Sequence, residues 1–214
     1  MRTRDQEEFQ RKKIMLMEKC YDCYAENGLA SVGIRKLAEA CGCSSAVLYI
    51  YFRDLDDLIV QSFADLHLHA PQYPMLGTGM DLPLLDWLNT YAFPTEARFA
   101  DTDYARTVYR QLSRELIAHG TTRVCMFSSL HTEATLILME ELERAGVTGY
   151  VGKVNMDRNG LPGVLEETTE ASMRDTLRWL DRCQDTCRIH PILTPRFTPS
   201  CTDKLMEFLG RLAA

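Results

Sequence analysis

The chain has 214 residues, 46% of them hydrophobic, and a formal net charge of −6. That length buries one sizeable core or two small ones, and the acidic balance excludes a general polyanion binder, so any nucleic-acid contact has to come from a local patch. No stretch reaches the roughly 18 apolar residues of a membrane span, and the charged opening Met1 to Glu8 lacks the apolar centre of a secretory signal, so a cytoplasmic protein is expected, its eight cysteines reduced.

All eight prolines and both tryptophans lie at or beyond Pro71, and only Gly28, Gly33 and Gly42 of the twelve glycines precede it. The pattern predicts compact helices first and a segment richer in turns after them. Residues 1–62 carry 9 basic and 10 acidic side chains, the remainder 15 and 20. Arg2, Arg4, Arg11, Lys12 and Lys13 form the one basic run, which reads equally as a contact patch or as a solvated helix end.

From Arg11 to Glu26, Ile14, Leu16, Met17, Cys20, Cys23 and Tyr24 fall mostly on one helical face, and Asn27-Gly28 supplies a left-handed stop. Gly33 caps a second helix over Ile34–Ala40. Gly42 breaks it, and Ser44 or Ser45 caps a third that runs through Val47, Leu48 and Phe52. Two short helices joined by a glycine turn are the helix-turn-helix plan. The spacing Cys20-x-x-Cys23 with Cys41-x-Cys43 admits a four-thiolate zinc site, but small core residues explain the same positions.

Gly28, Ile34-Arg-Lys-Leu-Ala38, Cys41-Gly-Cys-Ser44, Leu48-Tyr-Ile-Tyr-Phe52 and Asp57-Leu58 resemble the TetR family of transcriptional regulators over about 50 residues. The resemblance implies a three-helix DNA-binding domain over residues 1–62, with Ser44 to Tyr51 as the recognition helix. Arg35, Ser44, Ser45, Tyr49 and Tyr51 are then the expected DNA contacts. Leu55 stands where the family usually has a phosphate-binding lysine, and Val32-Gly33 where it usually has Thr-Ser. A single such head is expected to bind weakly and with strong salt dependence.

Phe63-Ala-Asp-Leu-His-Leu-His69 then places two histidines one residue apart, which on a strand aims both at one face. Further β-rich runs are expected at about 121–130, 149–156 and 188–197. Helical patterns at about 104–119, 133–145, 168–186 and 202–213 separate and follow them. The alternation predicts βα units around a parallel sheet.

His67-Leu-His-Ala-Pro-Gln-Tyr73, Asp81 to Leu88, Phe93-Pro94, Gly120-Thr-Thr122, Val151 to Asp157, Glu167-Thr168, Pro191 to Phe197 and Ser200-Cys201 resemble the guanine deaminases of the amidohydrolase superfamily. The match runs through nearly all of residues 63–214 and implies part of a TIM-type barrel, about four βα units. In that family zinc activates water for attack on the amino-bearing carbon of guanine, giving xanthine and ammonia, while carboxylates move the protons. By resemblance, His67 and His69 are zinc ligands. Gln72, Arg196 and Phe197 contact the purine, and Trp87, Leu88 and Phe93 shape its pocket.

The resemblance also implies that two further histidines, an aspartate and a proton-shuttling glutamate lie beyond Ala214, and that a preceding small β domain is missing. His131 is the nearest alternative ligand, whereas His119 and His190 sit at the wrong ends of their elements. The metal site is therefore expected to be incomplete and the segment inactive alone. An exposed apolar barrel interior is expected to favour self-association or pairing with a complementing fragment. Three readings follow: a purine-deaminating segment, a TetR-type DNA-binding regulator, and a hybrid of two genes without a function of its own.

Overall fold

The computed structural model describes residues 2–28, 31–62, 64–183 and 186–214. The chain divides into two compact units, Met1–Ala64 with Gly120–Thr122, and Asp65–His119 with Arg123–Ala214. Phe63, where the sequence puts its seam, lies outside the described residues.

The first unit is helical: α1 Arg2–Asn27, α2 Ile34–Cys41, α3 Ser45–Tyr51 and α4 Leu55–Ser62. Helix α1 starts at Arg2, nine residues before the expected start at Arg11, because the charged, helix-favouring opening continues the helix without needing a buried face. It ends where Gly28, at φ 77°, returns its N–H to the Tyr24 carbonyl. Leu16, Cys20, Cys23, Tyr24, Leu37, Cys41, Leu48, Phe52 and Leu58 close a core among the four helices.

The sequence reading expected three helices here, and α4 is the addition. The Asp54 carboxylate accepts the Asp57 N–H at 2.7 Å, and Asp56 and Asp57 in the first turn suit the positive end of the helix dipole. Unlike α2, α4 has no glycine at either end to mark it in the sequence. The cysteines pack as core: the Cys20 and Cys41 sulfurs are 3.5 Å apart, and burial pushes both thiol pKa values up. Among the described residues no group of three or more His, Cys, Asp or Glu side chains is arranged to hold a metal.

The second unit begins with β1 Ala64–His69, then a 3-10 turn Ala70–Met75, α5 Leu84–Trp87, a π turn Leu88–Ala92, α6 Phe93–Ala97 and α7 Thr102–Ala118. There follow β2 Arg123–Phe127, α8 Thr132–Ala145, β3 Thr148–Gly152, β4 Val154–Asn155, α9 Thr169–Arg182, β5 Ile189–Pro191, β6 Thr194–Pro195 and α10 Asp203–Ala213. The main sheet has the order β1-β2-β3-β5, and β4 pairs with β6. The pairs β2–β3, β3–β5 and β4–β6 are parallel.

The expected strands at 149–156 and 188–197 are each split in two. Gly152 sits at the break of the first, where an added Cβ would lie 2.3 Å from the Thr194 side chain, so only glycine lets the two segments approach. Gly149 is tighter still. Its φ is +139°, and a Cβ there would stand 1.9 Å from the Val124 carbonyl oxygen of the neighbouring strand.

One face of the sheet, with Leu68, Val124, Met126, Val151 and Ile189, packs into a single core with Tyr109 and Leu112 of α7, Leu138 and Leu142 of α8 and Trp179 of α9. Side-chain caps start the helices: Asp101 accepts from Asp103 and Tyr104 N–H at α7, Thr168 from Ala171 at α9, and Thr202 from Leu205 at α10. Alternation sends His67, His69, Cys125, Phe127, Tyr150 and His190 to the other side of the strands. That face is imidazole-rich and aromatic, a different surface from the apolar interior expected of it. Among the described residues no helix is long and apolar enough to cross a membrane.

Candidate functional site

His67 and His69 occupy the end of β1, two residues apart on one face, with ring centroids 5.2 Å apart. Phe127, at the end of β2, stacks on His69 at 4.7 Å and meets His67 edge-on at 5.3 Å. Burial, followed by the positive charge of Arg196, lowers the His69 pKa to about 4; Glu96 pulls the other way. His69 is thus a neutral imidazole at neutral pH, the form that ligates metals.

Immediately after β1, Pro71 and Pro74 shape the 3-10 turn that carries Gln72. The Gln72 amide nitrogen donates to Glu96 Oε1 at 2.9 Å. The same carboxylate takes both terminal nitrogens of Arg196, Nη2 at 2.9 Å and Nη1 closer. The side chains of Arg196 and Glu96 are only 4% and 1% exposed. Phe93 lies one turn before Glu96 on α6, so the two share a helix face, and the Arg196 guanidinium stands 5.0 Å from the Phe93 ring centroid. Thus α6 supplies both the carboxylate and the aromatic surface that hold the arginine.

Of the side chains expected at the purine, Gln72 and Arg196 meet through Glu96, and Phe93 joins them as packing. Leu88 is buried with Met75, Phe93, Val154 and Met156, and half-buried Trp87 packs on that cluster while its indole N–H donates to the Thr78 carbonyl at 2.9 Å. Both pack against the loop that carries them. Phe197 is 45% exposed. Glu96 is the residue that sequence reasoning missed; its proximity to Phe93-Pro94 was the available signal. A separate cavity of about 390 Å³ is lined by His131, Thr132, Glu167, Asp175 and Arg178 and by none of the expected purine contacts.

For a metal, the donor set is partial. Two neutral imidazoles on one strand face suit zinc, yet a stable site takes three or four protein ligands. Among the described residues no third His, Cys, Asp or Glu gathers with them, His131 included. The residues described do not complete a zinc site.

In the helical unit, Arg35, Ser44 and Tyr49 are exposed, Tyr49 at 50%, and Ser45 is partly so. The Ser44 hydroxyl stands at the N-cap of α3 without making a cap bond. Tyr51 is partly buried against the helical core, its ring 4.6 Å from that of Phe9.

Residues 58–214 match the model of the amidohydrolase family. The chain belongs to the amidohydrolase family. Residues 17–61 match the model of bacterial regulatory proteins of the tetR family, so a TetR-type region and an amidohydrolase region are joined in one polypeptide. The amidohydrolase region is 45% identical over 159 residues to guanine deaminase of Rattus norvegicus, covering 73% of this chain and 35% of the relative. It superposes on the crystal structure of guanine deaminase from C. acetobutylicum with bound guanine, with a TM-score of 0.67 and 48% identity over 70% of this chain and 36% of the other. An adenosine deaminase structure from Xanthomonas campestris, with bound zinc, shares the fold at a TM-score of 0.58 and 20% identity, over 71% of this chain and 33% of that one. The chain spans about a third of the length of the curated guanine deaminase it matches (35%).

Proposed function

We propose that residues 63–214 form a guanine-recognising part of a TIM-type deaminase barrel, about four βα units, carried behind a TetR-type DNA-binding domain of residues 1–62. The observation that carries the purine reading is the buried assembly of Gln72, Glu96 and Arg196, with Arg196 close enough to help depress the His69 pKa. An amide and a guanidinium fixed in one place are suited to the donors and acceptors of a purine edge, and exposed Phe197 beside Arg196 offers a ring for stacking.

Zinc, when bound in this family, supplies Lewis-acid activation of water. His67 and His69 would hold it, with His69 already neutral. Phe127 stacks on the His69 ring and meets the His67 ring edge-on, and burial, with Arg196 second, keeps His69 from taking a proton. Because the described residues gather only these two ligands, the chain alone is expected to bind guanine without converting it. Isothermal titration with guanine and a xanthine absorbance assay with added zinc test the two halves: no heat of binding removes the purine reading, and clear turnover by the chain alone removes the claim of an incomplete centre.

The second reading, sequence-selective DNA binding, is favoured by the exposure of Arg35, Ser44 and Tyr49 on α2 and α3. Selection from random duplexes, followed by gel shifts at two salt concentrations, tests it; equal binding to selected and scrambled duplexes would remove it.

A further inference from the structure

We propose that Glu96 is a positioning residue that sets the donor and acceptor polarity of the purine subsite, making it select a ring N–H over a bare ring nitrogen. The inference rests on the purine reading above and goes beyond it, because Glu96 is not among the residues that the resemblance assigns to the ligand.

A carboxylate accepts hydrogen bonds and donates none, so the Gln72 atom that meets Glu96 at 2.9 Å has to be the amide nitrogen. An amide otherwise turns over freely and serves donors and acceptors alike. With one of its two N–H groups held by Glu96, the Gln72 amide cannot turn over, so its oxygen keeps a fixed place, and an oxygen takes only a donor. The same carboxylate holds one N–H on each terminal nitrogen of Arg196, in the bidentate geometry that fixes the guanidinium plane. Arg196 donates and never accepts. The resulting pattern is one acceptor beside a plate of donors. An oxopurine edge, a ring N–H next to a carbonyl, complements it; an aminopurine edge, a bare ring nitrogen next to an amino group, opposes it at both positions.

Two features argue that Glu96 is built for this. It is 1% exposed and Arg196 is 4% exposed, so neither partner exchanges readily with water. Phe93, on the same face of α6, lies with its ring centroid 5.0 Å from the guanidinium and adds a packing restraint to the ion pair.

The test is Glu96→Gln, which keeps size and burial but can donate to the Gln72 oxygen and so permits the reversed amide. Guanine and adenine are titrated into wild-type and E96Q protein, and the side-chain amide signals of Gln72 are followed by ¹⁵N NMR without ligand. In wild-type protein a Gln72 amide proton is expected to be shifted and protected from exchange, and E96Q is expected to lose that protection. The preference for guanine over adenine is expected to fall by about tenfold or more, the loss of one hydrogen bond's worth of discrimination. A merely structural Glu96 would weaken both purines together and leave their ratio unchanged, which overturns the proposal, as does an unprotected Gln72 amide in the wild type. If the wild type binds neither purine, the purine reading falls and takes the ligand preference with it, whereas an intact Gln72 signal in that case still separates this failure from a wrong assignment of the lock.

Discussion

The two units are held together by different means. Among the described residues, the fully buried polar and charged side chains, such as Glu96, Glu141, Lys153 and Asn155, all lie in the α/β unit, while the buried residues of the helical unit are apolar side chains, thiols and a tyrosine. Glu141 gathers Arg106, Arg110 and Arg144 between α7 and α8, and the fully buried Lys153 pairs with Glu167 at 3.3 Å. The caps do not follow the division: Asp101, Thr168 and Thr202 bond the first turns of α7, α9 and α10 and Asp54 that of α4, whereas α2, α3 and α8 begin at Gly33, Ser44 and His131 without a side-chain bond. A unit whose polar groups lie inside can do chemistry in its interior; one with an apolar interior and uncommitted surface hydroxyls has only its surface to offer a partner.

The sharpest way to break this contrast is Glu96→Ala. It leaves Arg196 buried without its carboxylate, and a loss of about 3–5 kcal/mol is expected in urea unfolding. Both tryptophans, Trp87 and Trp179, lie in the α/β unit, so tryptophan emission reports that unit alone. Next, Leu37→Ala empties a fully buried site in the helical unit and is expected to cost about 3 kcal/mol there. The tryptophan transition should stay where it was; an equal shift would mean that the units melt as one body.

A pH series separates them further. All five histidines lie in the α/β unit, none in the helical one. Burial, assisted by Lys153, holds His131 below its ordinary value of 6.5. The unfolded chain therefore takes up the proton first, so this contribution is complete above pH 6.5 and is lost as the pH falls from there toward the depressed value. The tryptophan midpoint is expected to drop over that interval and His131→Gln to lessen the drop, with His69 supplying the remainder, while helical-unit stability is unchanged before its carboxylates titrate.

Caps give the smallest effect. Asp101→Ala should cost about 1 kcal/mol, because two backbone N–H groups lose their acceptor. Ser44→Ala, removing a hydroxyl that caps nothing, should cost only a few tenths. If S44A instead lowers stability as much as D101A, the hydroxyl is structural after all; on the DNA reading it weakens duplex binding alone.

Much of this was legible in the sequence where the repeating pattern was long. The helices α7, α8, α9 and α10 and the strand ends at Arg123 and Thr148 fall close to their expected places, because 11 to 17 residues of helix or a run of β-branched and aromatic residues leave a period. His67 and His69 were legible as a pair because strand alternation alone puts them on one face. The stretch from Ala70 to Ala100 was not: its helical pieces of three to six residues are shorter than any period, and they are what bring Gln72 and Glu96 together. Glu96 was invisible for a second reason, since a glutamate in a short helix reads as solvated until its arginine, 100 positions later, is known.

Gly149 carries a consequence of another kind. With its φ at +139° and a neighbouring carbonyl 1.9 Å from where a Cβ would stand, every other amino acid at this position collides with the adjacent strand. In a library of random variants, codon 149 should come back from selection for folded protein as glycine alone, while its exposed neighbour Tyr150 drifts. Along a lineage it would act as a fixed letter, recording the closeness of two strands long after the surface around it had been rewritten.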